Sequence, residues 1–355
     1  MRKRIILGVC FLCILCMSGC SAFMKEKKTE AEKTDAAQTA SEDTQIISEE
    51  EHLFGTEKES EPGEESLKSD IKKTDQPQRI ICWGDSLTYG QGGNGVTYPS
   101  VLAEILHAEI INYGIQGETA RQIAIRMGAL PMSAGAFLIP QETSPVEVSL
   151  WQNGEDPIMM RLGDCAINPC YIEGIEGTLS YRAEDNKYYF TRSEAGEAKE
   201  IVEGTKIETY ASRDKKTSDI IVLFAGTNLP PDRHTVGELI DMEKQMLEYL
   251  QTDRYVVVGL TSKTLIPDIE PINEALAEAF GEHFLDIRSY LLENGLQDAG
   301  IEPVKKDRKN LAKGEIPSSL RVDEVHGNEA FYRIIGEQVY RKLKDLGYIT
   351  EEDEK

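Results

Sequence analysis

After residue 78, short runs of apolar residues alternate with stretches whose apolar residues recur at helical spacing. The runs are typical of parallel strands buried on both faces, and they are predicted at residues 79–83, 109–113, 219–224, 254–260 and 283–287. Helices are predicted between and after them, at residues 99–107, 117–127, 236–250, 272–280 and 328–346. This alternation predicts a three-layer α/β/α fold around a five-stranded parallel sheet.

Residues 131–218 interrupt the alternation, because they show almost no helical spacing. Apolar and polar residues alternate with a period of two at 145–152. A hairpin is predicted at 178–191 with its turn at 184–187, and strand-like pieces follow at 199–212. So long a connection without structure of its own is unusual in a compact domain. The pattern indicates an inserted, mostly β subdomain, and a long irregular excursion is the alternative.

Polar residues with catalytic potential lie where the predicted strands end or where the last helix begins. Ser86 follows the first strand within the sequence GDSL, while Gly117 and Asn228 follow the second and third strands. Asp323 and His326 stand three residues apart, just before the last helix. Each feature alone is ordinary turn or helix-start chemistry, and a lone histidine is more often structural than catalytic. Together, at the edge of the sheet where ligands bind, they indicate a serine nucleophile with a base and oxyanion donors.

These blocks, in this order, resemble those of the SGNH hydrolases, also called the GDSL esterase/lipase family. The resemblance implies a flavodoxin-like fold and an acyl-enzyme mechanism in which Ser86 is the nucleophile. His326 would act as general base and acid, and Asp323 would orient it. The N–H groups of Ser86 and Gly117 and the side-chain amide of Asn228 would form the oxyanion hole.

The resemblance covers residues 79–130 and 219–350, which we expect to form the hydrolase domain around the 131–218 insertion. The sequence departs from the usual family pattern at Leu229, where Asp is frequent, and at Gly327, where Pro or Leu is common. Neither departure removes a catalytic atom. Further candidates, for contacts with the substrate, are Asp85, Leu229 and His234.

The first 20 residues have the pattern of a bacterial export signal. Basic residues at 2–4 precede an apolar run at 5–17, which is too short to span a bilayer. The run ends in Met17-Ser18-Gly19-Cys20, which resembles a lipobox. The resemblance implies cleavage after Gly19 and a lipid on Cys20, which would hold the protein at the outer face of the membrane. An ordinary secretory signal with a chance cysteine is the alternative.

Residues 21–78 are rich in Glu, Lys, Thr, Ser and Asp and hold almost no aromatic residues, so we expect a disordered acidic tether. The whole chain has 62 acidic and 39 basic residues, a formal net charge of −23. Such an excess repels phosphate backbones and anionic lipid heads. Nucleic-acid binding is therefore not expected, and membrane contact is expected only through the lipid anchor.

The fold and the catalytic residues do not by themselves identify the substrate. The expected surface location, the insertion beside the cleft and the acidic charge favour a small acyl group, acetyl above all, on a neutral carbohydrate. A lipase or lysophospholipase is the alternative enzyme. A glycan-binding surface module with an idle triad is the alternative from a different class.

No metal or other cofactor is expected, because the chain lacks paired Cys/His motifs, and we expect a monomer. Cys165 and Cys170 could form a disulfide outside the cell or remain free thiols. Aromatic side chains of the insertion could stack on sugars or belong to its core, and these are Trp151, Tyr181, Tyr188 and Tyr189.

Overall fold

The computed structural model describes residues 78–228 and 235–355. The predicted signal, the tether, Cys20, Leu229 and His234 lie outside the described residues. The strands are β1 (Arg79–Gly84), β2 (Glu109–Gly114), β3 (Met132–Ala134), β4 (Phe137–Ile139), β5 (Val146–Val148), β6 (Leu150–Trp151), β7 (Cys170–Ile172), β8 (Ile175–Arg182), β9 (Lys187–Arg192), β10 (Lys199–Ile201), β11 (Thr205–Glu208), β12 (Ile220–Phe224), β13 (Tyr255–Val258) and β14 (Phe284–Leu285). The α-helices are α1 (Ser86–Tyr89), α2 (Tyr98–Ile105), α3 (Ala120–Met127), α4 (Tyr210–Asp214), α5 (Val236–Leu250), α6 (Ile269–Phe280), α7 (Ile287–Glu293), α8 (Gly295–Asp298), α9 (Lys305–Leu311) and α10 (Glu329–Asp345).

A five-stranded parallel sheet forms the centre of the fold, in the order β14-β13-β12-β1-β2. Strand β1 is buried along its whole length and pairs on both sides, with Ile81 opposite Ile221 of β12 and Ile111 of β2. All four strand pairings of this sheet are parallel. The predicted three-layer α/β/α fold with five parallel strands is confirmed.

Alternate residues of β1 face two separate cores, as the period of a strand requires. Ile80 and Cys82 lie in a core with residues of α2, α7 and α10, which we call the α10 face. Ile81 and Trp83 lie in a second core with residues of α3, α5 and α6, which we call the α3 face.

The insertion folds into antiparallel sheet, as its period-two pattern predicts. Seven strands pair in the order β5-β9-β8-β7-β11-β3-β6, and β4 pairs with β10. The predicted hairpin is β8–β9, with Arg182 opposite Lys187. Buried side chains of this sheet, such as Leu179 and Phe190, belong to the same core as α3. The insertion is therefore packed on the α3 face of the parallel sheet.

The structure departs from the sequence predictions in two places. Helix α4 begins within the 199–212 stretch, for which we expected only strand-like pieces, and extends to Asp214. Between β14 and α10, three short helices, α7 to α9, fill a stretch for which no element was predicted. Helices of one or two turns hold too few residues to produce a clear helical period. None of the helices in the described residues is long and apolar enough to cross a membrane.

Candidate active site

Ser86 is the first residue of α1 and follows the tight turn at Asp85 that ends β1. The Asp85 side chain accepts a hydrogen bond from the Leu87 N–H at 2.9 Å and so caps the short helix that Ser86 begins. Glycine is required before the turn, because a β-carbon at Gly84 would collide with the Thr88 side chain and the Phe224 carbonyl. The turn holds Ser86 at the carboxyl edge of the sheet, where it is 3% exposed.

The residues that the sequence analysis selected as a catalytic triad form one hydrogen-bonded chain. His326 Nε2 lies 2.9 Å from Ser86 Oγ, and His326 Nδ1 lies 2.8 Å from Asp323 Oδ2. The other carboxylate oxygen, Asp323 Oδ1, accepts hydrogen bonds from the Val325 and His326 N–H groups, each at 2.7 Å. These bonds fix the carboxylate relative to the imidazole before a substrate binds.

The charge state of Asp323 determines the direction of the hydrogen bonds within the triad. Partial burial disfavours the charged carboxylate, but hydrogen bonds from the His326 backbone and ring and from the Val325 N–H hold the pKa of Asp323 below its usual value. An ionised carboxylate can only accept, so Nδ1–H donates to Asp323. In the neutral imidazole, Nε2 is then the acceptor for the Ser86 hydroxyl. This is the arrangement that general-base catalysis needs.

The expected oxyanion donors lie at neighbouring strand ends. Gly117 follows β2 with a left-handed φ of 72°, a conformation that favours glycine. Asn228 follows β12, and its Nδ2 donates a hydrogen bond of 3.0 Å to the Glu118 carbonyl oxygen, one residue beyond Gly117. Within residues 78–228 and 235–355, the N–H groups of Ser86 and Gly117 have no acceptor. Both remain available to a substrate oxygen.

A buried ion pair supports this loop, and the sequence analysis missed it. Arg126 of α3 is completely buried and contacts Glu118 Oε2 through Nη2 at 2.6 Å and Nε at 3.0 Å. Its guanidinium also lies 5.1 Å from the centroid of the Trp83 ring, and its Nη2 donates to the Gly84 carbonyl at 3.4 Å. Arg126 therefore joins the end of the nucleophile strand to the oxyanion loop. The sequence feature that could have indicated this ion pair is an arginine next to the apolar positions of a short helix.

Two buried carboxyl groups beneath the site have altered acidity. Burial raises the pKa of Asp85 to about 7, although the Leu87 N–H favours its charged form. Burial also raises the pKa of Glu118, and the charge of Arg126 offsets part of that effect. Asp85 is fully buried, and its contact with a substrate stays a prediction. It shapes the turn from below.

The aromatic residues of the insertion mostly have protein partners already. Tyr181 and Tyr188 face each other across the β8–β9 hairpin with ring centroids 5.4 Å apart. The guanidinium of Arg182 lies over the Tyr189 ring at 3.8 Å. These contacts favour a structural role for the three tyrosines, while Trp151 is 38% exposed. The insertion's Cys165 and Cys170 are free thiols.

Comparisons with known proteins gave similarities at the level of structure only. No protein-family model and no curated protein matches the chain. A lipolytic protein of the G-D-S-L family from Veillonella parvula is 15% identical, covering 74% of this chain and 97% of its own, with a TM-score of 0.40. A lipase/acylhydrolase from Enterococcus faecalis is 12% identical, covering 76% and 96%, with a TM-score of 0.38.

Proposed function

We propose that the protein is a serine ester hydrolase of the SGNH type. The observation that carries the proposal is the unbroken chain from Asp323 through His326 to Ser86, with contacts of 2.8 and 2.9 Å. A histidine with a purely structural role does not need this pair of partners, a serine hydroxyl at one ring nitrogen and an ionised carboxylate at the other. Three donors on adjacent strand ends complete the set of groups that acyl transfer uses.

In the proposed mechanism, Ser86 attacks the ester carbonyl while His326 Nε2 takes the hydroxyl proton. The negative charge that develops on the carbonyl oxygen is stabilised by the N–H groups of Ser86 and Gly117 and by the Asn228 amide. His326 then gives the proton to the departing alcohol. A water molecule, activated by the same imidazole, releases the acid from Ser86.

The mechanism predicts an acid limit to activity. An imidazole must be neutral to accept the serine proton, so the rate should fall over the acid range in which that imidazole is protonated. Asp323 stays ionised through that range, because its pKa lies below the usual value. A rate that is flat down to about pH 4 would contradict the role of His326.

We propose a small acyl ester on a carbohydrate, acetyl above all, as the substrate. Three features support it: the antiparallel insertion packed beside the catalytic edge, the acidic charge of the chain, and the lipobox-like sequence that ends at Cys20. The charge disfavours strongly anionic polymers. A lipid on Cys20 would place the enzyme outside the membrane, where bacterial polysaccharides lie.

The esterase proposal is tested by hydrolysis of p-nitrophenyl acetate, butyrate and palmitate by the full chain purified in mild detergent. We expect turnover that prefers acetate and is abolished by Ser86→Ala, whereas Ser144→Ala, a change at an exposed loop serine, serves as the matched control and remains active. Preference for palmitate would indicate a lipase instead. Negligible turnover with every ester, together with unchanged polysaccharide binding by Ser86→Ala, would indicate a binding module.

The location is tested separately. Cells expressing the chain are labelled with an alkyne-modified fatty acid, and the protein is recovered and probed for the label. We expect incorporation in the wild type and none in Cys20→Ala. Equal labelling of both, or of neither, would contradict lipidation at Cys20.

A further inference from the structure

One loop of the insertion lies directly against the oxyanion loop. The Leu162 δ-methyl is 3.6 Å from where a β-carbon on Gly117 would stand. A β-carbon on the next loop residue, Gly163, would lie 3.6 Å from the Ile115 side chain. The segment 158–163, which we call the acyl loop, therefore touches the backbone that carries the Gly117 N–H.

The acyl loop is held in place from several sides. The Tyr188 hydroxyl accepts a hydrogen bond from the Met159 N–H at 3.0 Å, and Gln122 of α3 donates to the Ile158 carbonyl at 2.9 Å. Ile158 and Met160 both have left-handed backbone, with φ of 50° and 64°. This conformation is unfavourable for side chains of their kind and persists only where surrounding contacts impose it.

The held loop nevertheless presents apolar side chains to solvent. Leu162 is 62% exposed and Ile158 is 49% exposed, although a protein gains free energy by burying such groups. Tyr89 of α1 is 50% exposed, and Val322, next to Asp323 in the sequence, is 53% exposed. Of these exposed apolar side chains, Leu162 is the one that the structure places against Gly117, so a substrate whose carbonyl oxygen binds there meets it first.

The two faces of the sheet indicate where the acyl and alcohol parts of a bound ester lie. The alcohol oxygen must lie near His326, because it receives the proton from that imidazole. His326 lies three residues before the start of α10, whose buried residues lie in the α10 face. The acyl loop packs through Met159 into the α3 face, the opposite one. The group beside Leu162 is then the acyl chain and not the alcohol.

We propose that Leu162 closes the acyl site and limits the length of the acyl chain that the enzyme accepts. This inference rests on the proposed esterase function and deepens it. The Leu162 side chain stands where an acyl chain longer than a few carbons would extend from a carbonyl oxygen bound at Gly117. Esters of short acyl chains are favoured because their carbon chain ends before it meets this side chain.

The test compares p-nitrophenyl acetate with p-nitrophenyl hexanoate for the wild type and Leu162→Ala. The substitution makes room for about three methylene groups, and each one accommodated contributes about fourfold. We expect the hexanoate-to-acetate ratio of kcat/KM to rise about tenfold or more. Leu162→Phe should lower the ratio. Val202→Ala, at a 70% exposed position elsewhere in the insertion, is the matched control and should not change it.

A second series keeps acetate as the acyl group and replaces p-nitrophenol by the larger β-naphthol. We expect Leu162→Ala to leave this alcohol preference unchanged, and a change confined to the alcohol series would overturn the assignment. Ser86 labelling by a fluorophosphonate probe separates the two proposals. Labelling with an unchanged hexanoate-to-acetate ratio overturns the role of Leu162 alone, whereas no labelling in the wild type overturns the esterase and the acyl site together.

Discussion

Glu243 carries the clearest prediction about stability. It lies on α5 and is completely buried, and neither carboxyl oxygen has a hydrogen-bond partner within the described ranges 78–228 and 235–355. Its helix neighbours Leu239 and Met246 belong to the core of the α3 face. Burial raises the pKa of Glu243 well above its usual value, because an apolar interior disfavours the charged form.

The size of the effect follows from proton linkage. The folded protein keeps the proton on Glu243, while the unfolded chain loses it above the ordinary glutamate pKa of about 4.3. Stability is therefore lost as pH rises, by about 1.4 kcal/mol for each pH unit above that value while the folded state stays protonated. Glu243→Gln keeps the size and removes the ionisation. At pH 7 the variant should be more stable by up to about 3–4 kcal/mol.

The measurement is urea unfolding of the wild type and Glu243→Gln at several pH values between 4.5 and 7.5. We expect nearly equal stability at the acid end and a gap that widens in favour of the variant towards neutral pH. Glu278→Gln, at an exposed position of α6, is the control for the loss of a carboxylate alone. A gap of the same size at every pH would refute the reasoning, since it would mean that Glu243 titrates alike in the folded and unfolded states.

Three further predictions concern the catalytic edge. Asp323→Asn should lower kcat for p-nitrophenyl acetate by about 10³–10⁴-fold, because the amide no longer selects the productive tautomer; a loss below tenfold would contradict its role. Asn228→Ala should lower kcat by about 10²–10³-fold with little change in KM, as expected when a donor acts mainly in the transition state. Arg126→Met should cost about 3–5 kcal/mol in urea unfolding because it leaves Glu118 buried without its partner. Adding Glu118→Gln to Arg126→Met should recover part of that loss of stability. An unaltered urea midpoint for Arg126→Met alone would argue against a buried ion pair.

The sequence by itself determined the parallel sheet and most of the helices around it. Strand β1 is recognisable because a strand buried on both faces is a continuous run of apolar residues. Helix α10 is recognisable because a helix buried along one stripe has apolar residues at helical spacing. The polar residues at the strand ends were recognisable for the same reason, since the carboxyl ends of parallel strands meet at one edge. Ser86 after β1, and Asp323 and His326 before α10, could therefore be selected, together with the family resemblance of their sequence blocks, before any distance between them was known.

Only the tertiary structure decided what lies behind and beside those residues. The contact of the Arg126 guanidinium with the Gly84 carbonyl depends on helix α3 and strand β1 meeting in space. The contact of Leu162 with the Gly117 loop depends on how a whole antiparallel sheet docks on the α3 face. Such contacts join residues distant in sequence, and the period of a local pattern carries no record of them. A charged residue in the sequence likewise does not reveal whether packing will bury it.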